Sequence, residues 1–185
     1  INAVADAAKV VTNLDGIDMG YYEEFDVAGS LCVIGLHGGG TLILVPEEAH
    51  LTIDRHILPG QTAEEAAAEI EAVVQQSGIE STYELTWDER PTPAPAPYLV
   101  PTDSRFVQIV KRNMERELGE PTKFWLQRSV ADTNHFAVHG KIPTLVWGPQ
   151  GGNTCQANEY VEIDSLPAVT RTYIQTALDL LGVRA

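Results

Sequence analysis

Apolar residues recur at helical spacing where the chain begins. Ile1, Val4, Ala8 and Val11 share one face, so residues 1–14 are expected to be helical. Residues 15–26 are acidic and irregular, with Tyr21 and Tyr22 as packing side chains. The apolar run in residues 30–36 reads as a strand, with Cys32 as a small core residue. His37-Gly38-Gly39-Gly40 then reads as a turn. A second strand is expected over residues 41–54, broken near Pro46, and from His50 to Asp54 its alternation leaves one face solvated. Pro59-Gly60 is a turn, and Thr62 with Glu65 forms a capping box that starts a helix at Ala63. Ala66, Ile70, Val73 and Val74 are its buried stripe, and Gly78 ends it. Residues 80–87 alternate again and read as a closing strand.

The second half carries a different pattern. Alternating prolines from Pro91 to Pro97 favour polyproline II, a semi-rigid spacer, and residues 90–102 read as an interdomain hinge. Asp103 or Ser104 should cap a helix bearing Phe106, Ile109, Val110 and Met114 and ending at Gly119. Short strands are expected at residues 124–126 and, buried, at 143–147. Gly148-Pro149 stops the second of these, and Gly151-Gly152-Asn153 supplies a loop free to adopt positive φ. Cys155, Asn158 and Glu159 follow, side chains able to bind a metal or a ligand, although a glycine turn with a buried cysteine fits the same spacing. A last helix should start near Ser165 and bury Val169, Tyr173, Ala177 and Leu180.

Composition narrows the function. A chain of 185 residues holds one medium domain or two small ones, and 44% hydrophobic residues suffice for a core. A formal net charge of −14 repels phosphate backbones and argues against nucleic acid or an anionic membrane as partner. Two cysteines make no disulfide framework, no apolar run reaches membrane-spanning length, and a cytoplasmic location is expected. The glycine triplet at 38–40 lacks the Lys-Ser/Thr and helix start of a phosphate loop. The chain begins with Ile inside a helical pattern, so a processed product or a fragment is expected.

Three motifs go further. Residues 142–163, IPTLVWGPQGGNTCQANEYVEI, resemble the C-terminal signature of the M20 metallopeptidases, which include carboxypeptidases, aminoacylases and acetylornithine and succinyl-diaminopimelate deacylases. Residues 53–70, IDRHILPGQTAEEAAAEI, resemble that family's D-x-R-x-x-P-G-E-T segment, with His56 at the Arg position and Gln61 at the Glu position. Residues 129–139, SVADTNHFAVH, resemble its G-x-x-D-x-x-x-F turn and short helix. The motifs keep the family's order, and the resemblance covers nearly the whole chain.

The resemblance implies an α/β fold: an α+β lid and an α/β remainder. Residues 1–89 would be a ferredoxin-like two-layer lid, reading α-β-β-α-β, that mediates homodimerisation. Residues 103–185 would be the C-terminal part of a zinc-peptidase catalytic domain. It implies a metal-dependent hydrolase of amide bonds in N-acyl amino acids or small peptides, using two zinc ions whose other ligands precede this chain. Cys155 would be the metal ligand, where the family has a loop His. Asp132 would shape the site, and Asn134 and His56 would contact substrate, while Asp132 reads equally as a helix cap. Ile43 stands where the family has a substrate-binding Asn. His135 and His139 have a spacing that can bind metal, but the resemblance assigns them no role and they read as helix-surface residues. Two alternatives stay open: a non-catalytic dimerising relative that has lost its metal site, and a cysteine hydrolase with Cys155 as nucleophile and His135 or His139 as base.

Overall fold

Asn2 sets the first helix. Its side chain accepts a hydrogen bond from Ala5 N at 3.1 Å, and α1 runs Ala3–Leu14. The computed structural model describes residues 1–40, 43–88, 96–128 and 130–182. They divide into two units, Ile1–Pro97 and Tyr98–Ala185. Thr41 and Leu42 of the expected second strand, residues 90–95 of the expected hinge, and Ser129 lie outside the described residues.

In the first unit, β1 (Tyr21–Tyr22) and β2 (Val27–Ala28) make a small ladder. The main pair is β3 (Ser30–Gly38) against β4 (Ala49–His56), antiparallel from Ser30↔His56 to Gly38↔Ala49. Helix α2 (Ala63–Gln76) has both bonds of its capping box: Glu65 N donates to Thr62 Oγ1, and Thr62 N donates to the Glu65 carboxylate. Val10 and Leu14 of α1 and Ile70 of α2 form the core, with Leu31, Val33, Leu51 and Ile53 packed against them. Strand alternation therefore sends these four toward the helices, and Cys32 and Asp54, which pair across the ladder, to the other face. Cys32 is exposed, not a core residue. The ladder shifts register between Val33 and Gly35, and Ile34 at the shift is exposed.

The buried face of α1 also differs from the expected stripe. Ala3, Asp6, Val10 and Leu14 are buried, whereas Ile1 is exposed. Asp6 causes the rotation. Its Oδ2 accepts hydrogen bonds from Glu80 N and Ser81 N, both at 2.9 Å, and from Ser81 Oγ at 2.8 Å, and its Oδ1 from Lys9 Nζ at 2.8 Å. A carboxylate this well satisfied can occupy a buried helix position that the apolar pattern would give to a hydrophobe. Residues 80–87 form no strand: among the described residues no segment pairs with them, and alternation without a ladder partner makes no sheet. Residues 43–48 also stand outside β4, with Ile43 fully exposed.

In the second unit, α3 (Arg105–Leu118) is capped by Ser104 and ends at left-handed Gly119. Helix α4 (Leu166–Leu181) packs on it. The seam between them is partly polar. Asn113 Nδ2 donates to Thr176 Oγ1 at 3.3 Å and to Asp179 Oδ2 at 3.0 Å, and Arg112 pairs with Asp179 at 2.6 Å. Val107, Asn113 and Thr172 are each 1% exposed. Tyr173 and Ala177, expected inside, are exposed because α4 turns its threonine face to α3. Residues 124–126 and 143–147 are not strands, and Trp125 and Val146 are exposed; no described segment pairs with either run.

Candidate functional site

The loop that carries Cys155 is closed by two glycines. β5 (Gly151–Gly152) pairs with β6 (Tyr160–Val161), Gly151 opposite Val161 and Gly152 opposite Tyr160. A Cβ on Gly151 would lie 2.2 Å from Tyr160 O, and one on Gly152 would lie 2.7 Å from the Tyr160 ring. Only glycine allows this approach. Gln156 N donates to Asn153 O at 2.9 Å, and Asn153 Nδ2 to Asn158 O at 3.2 Å. Asn153, Cys155 and Asn158 all have positive φ, 56°, 59° and 61°. Asparagine tolerates that region, whereas cysteine is held there against a local preference of roughly 1–2 kcal/mol. The Cys155 thiol is free and exposed, which overturns the buried-cysteine reading of this turn.

Asp132 and Asn134 lie just before and within a short helix. Asn134 Oδ1 accepts from Ala131 N at 3.3 Å, and Asp132 O accepts from His135 N at 3.0 Å. The segment His135–His139 that follows is a π-helical turn, closed by Gly140 N donating to His135 O at 2.9 Å. Asn134, which precedes the π turn, gives it no side-chain cap, and the Asp132 side chain is exposed. Beside this segment in sequence, Trp147 packs against Tyr173 at a ring separation of 5.2 Å, and Tyr173 Oη donates to Trp147 O at 2.7 Å.

His56 ends β4 in the first unit. Its Nε2 lies 3.2 Å from Asp54 Oδ2, and its Nδ1 is buried without a partner. Its neighbour Arg55 points to the opposite face. The Arg55 side chain is 5% exposed and binds Glu69 through Nε at 3.2 Å and an Nη at 2.8 Å. It also donates to Met19 O, to Gln61 Oε1 and to His56 O. Gln61 accepts from Leu58 N at 3.0 Å as well, so it braces the turn after β4. Sequence reasoning overlooked Arg55. A lone basic residue on an inward strand position, with Glu69 available on the facing helix, is the signal that marks it.

The second unit thus carries Cys155, Asp132 and Asn134, and the first carries His56. Among the described residues no three His, Cys, Asp or Glu side chains gather as a metal site. Cys155 offers one donor where a tetrahedral zinc needs four, so this chain's own residues do not fit a complete zinc centre. Among the described residues Cys155 makes no hydrogen bond to a histidine, the contact that a thiol–imidazole nucleophile uses.

The architecture has a counterpart among metal-dependent peptidases. The M20 family metallo-carboxypeptidase Sso-CP2 from Sulfolobus solfataricus superposes with a TM-score of 0.63 at 16% identity, over 96% of this chain and 52% of that one. This likeness establishes the α/β fold class. The family model of peptidase family M20/M25/M40 matches residues 9–179, and the chain belongs to that family. A succinyl-diaminopimelate desuccinylase from Hydrogenovibrio crunogenus (strain DSM 25203 / XCL-2) is 23% identical over 153 residues, which are 82% of this chain and 39% of that protein. The chain spans about two-fifths of the length of this curated relative and about half of the carboxypeptidase. Among the described residues no helix is long and apolar enough to cross a membrane.

Proposed function

We propose that this chain is part of a zinc-dependent hydrolase that cleaves amide bonds of N-acyl amino acids or small peptides. The match of the family model to residues 9–179 carries the reading. In it, residues 1–89 are the lid and dimerise with a second copy, residues 90–102 are the hinge, and residues 103–185 complete the catalytic domain. Cys155 supplies one zinc donor from its exposed turn, and the other donors come from sequence outside these residues. When bound, zinc would supply Lewis acidity toward the scissile carbonyl and a polarised water. The chain's own residues bind and orient: in the second unit Asn134 contacts substrate and Asp132 shapes the surroundings of that contact, and His56 of the first unit is a substrate contact in its own right.

The test uses the longer polypeptide that contains this chain. Zinc content, hydrolysis of N-acetyl and N-succinyl amino acids, and sedimentation are measured for it and for Cys155→Ala. Chelator-sensitive hydrolysis, a dimer, and a loss of about one zinc per chain in Cys155→Ala are the expected results. A metal-free protein without hydrolase activity would instead support a second reading, a non-catalytic dimerising relative. Ile43 and Cys155, which stand where the family has Asn and His, favour that alternative.

A further inference from the structure

The π-helical turn presents two imidazoles that the proposed hydrolase does not use. His135 and His139 lie with ring centres 5.8 Å apart and ring planes inclined by 27°. With metal–nitrogen bonds of about 2.0–2.1 Å, two imidazoles on one tetrahedral ion hold their ring centres roughly 5–6 Å apart. The observed separation falls in that range, and because the rings stack face to face, a ring must turn about its terminal torsion for two nitrogens to meet one ion. Histidines four residues apart on one helical face are an established way to chelate zinc.

The backbone beneath them is fixed. His135 N donates to Asp132 O at 3.0 Å, and His135 O accepts from Gly140 N at 2.9 Å, so both of its backbone groups are engaged. Ile142 N donates to Phe136 O at 3.0 Å and secures the exit. The His139 side chain is exposed, and its terminal torsion is broad, so a nitrogen can turn toward a shared ion without backbone movement. Single π turns concentrate at functional sites. The overall charge of −14 also favours a cation over an anion.

We propose that His135 and His139 form a two-imidazole site for one borderline divalent cation, Zn²⁺, Ni²⁺ or Cu²⁺, with water completing its coordination. Imidazole donors select these ions, whereas Mg²⁺ and Ca²⁺ take oxygen donors.

The test titrates this chain with Ni²⁺ and Zn²⁺ alone, by calorimetry, alongside His135→Ala, His139→Ala, Cys155→Ser and the double variant His37→Ala/His50→Ala. His37 and His50 face each other across the β3–β4 ladder and are the competing imidazole pair. Expected are one Ni²⁺ per chain, at least about a tenfold weakening in His135→Ala and in His139→Ala, and no change in the other two variants. Far-UV circular dichroism that matches the parent chain shows that the alanine variants are folded. Mg²⁺ should give no heat. Equal Ni²⁺ affinity in the parent and both alanine variants, loss of binding in Cys155→Ser or in His37→Ala/His50→Ala, or no binding at all would overturn the proposal. The chain under test makes no use of the hydrolase reading, so each proposal can fail alone.

Discussion

Removing the Glu69 carboxylate tests how the first unit holds its strands to α2. Glu69→Ala strands a guanidinium that is 5% exposed. Breaking a buried ion pair by deleting one partner costs about 3–5 kcal/mol when the survivor has nothing else. Here Arg55 keeps Met19 O at 3.1 Å, Gln61 Oε1 at 3.4 Å and His56 O, and Glu69 itself is 29% exposed. Both facts lower the figure, and we expect a loss of about 2 kcal/mol. With a urea dependence of about 1–3 kcal/mol per molar, the midpoint should fall by roughly 1 M. Glu69→Gln keeps one acceptor and should lose about half as much. The double variant Arg55→Met/Glu69→Leu removes both charges, and Met19 O retains Gln61 Nε2 at 3.4 Å. It should therefore unfold closer to the parent chain than Glu69→Ala does. Urea unfolding followed by circular dichroism reads all three. A midpoint change below about 0.2 M in Glu69→Ala, or a double variant that unfolds at a lower urea concentration than Glu69→Ala, would refute the reasoning.

Other consequences are simpler to check. Thr62→Ala removes one half of the capping box and should cost about 1 kcal/mol, read as a lower urea midpoint. Lys9 first, then Ser81, hold the Asp6 carboxyl well below the usual carboxylate range. A depressed folded pKa gives stability that is complete above the unfolded value near 4 and is lost as pH falls below it. Asp6→Asn should therefore flatten the fall of the urea midpoint from pH 5 to pH 2.5, and an unchanged slope would count against the assignment. Gly151→Ala would set a Cβ against Tyr160 O, so it should open the β5–β6 ladder and speed proteolysis between Asn153 and Glu159.

The fold was legible where local chemistry decides it. Thr62, Glu65 and Gly78 mark α2 from cap to stop, and Ser104 and Gly119 mark α3. It was not legible where a distant partner decides. The buried face of α1 turns on Asp6, whose acceptors are satisfied by amides 74 and 75 residues away. Residues 80–87 alternate like a strand, yet a ladder needs a partner edge in register that no local pattern supplies. Cys32 and Arg55 fall on opposite faces of the hairpin because strand parity, not side-chain type, assigns the face. At the candidate site, the glycines before Cys155 were readable as a loop, but the left-handed backbone and exposure of the thiol were not. The histidine spacing was readable as well, whereas the π turn that sets the ring separation was not.

The seam between α3 and α4 has a thermodynamic consequence. Two of its three fully buried side chains, Asn113 and Thr172, are polar. Exposing apolar surface raises the heat capacity of unfolding, and exposing polar surface lowers it. The second unit should therefore melt with a heat-capacity increment below the usual 12–15 cal/mol/K per residue, about which most domains cluster. Its stability would then vary little between cold and warm conditions, and helix pairing would be set more by hydrogen-bond register than by the strength of hydrophobic association.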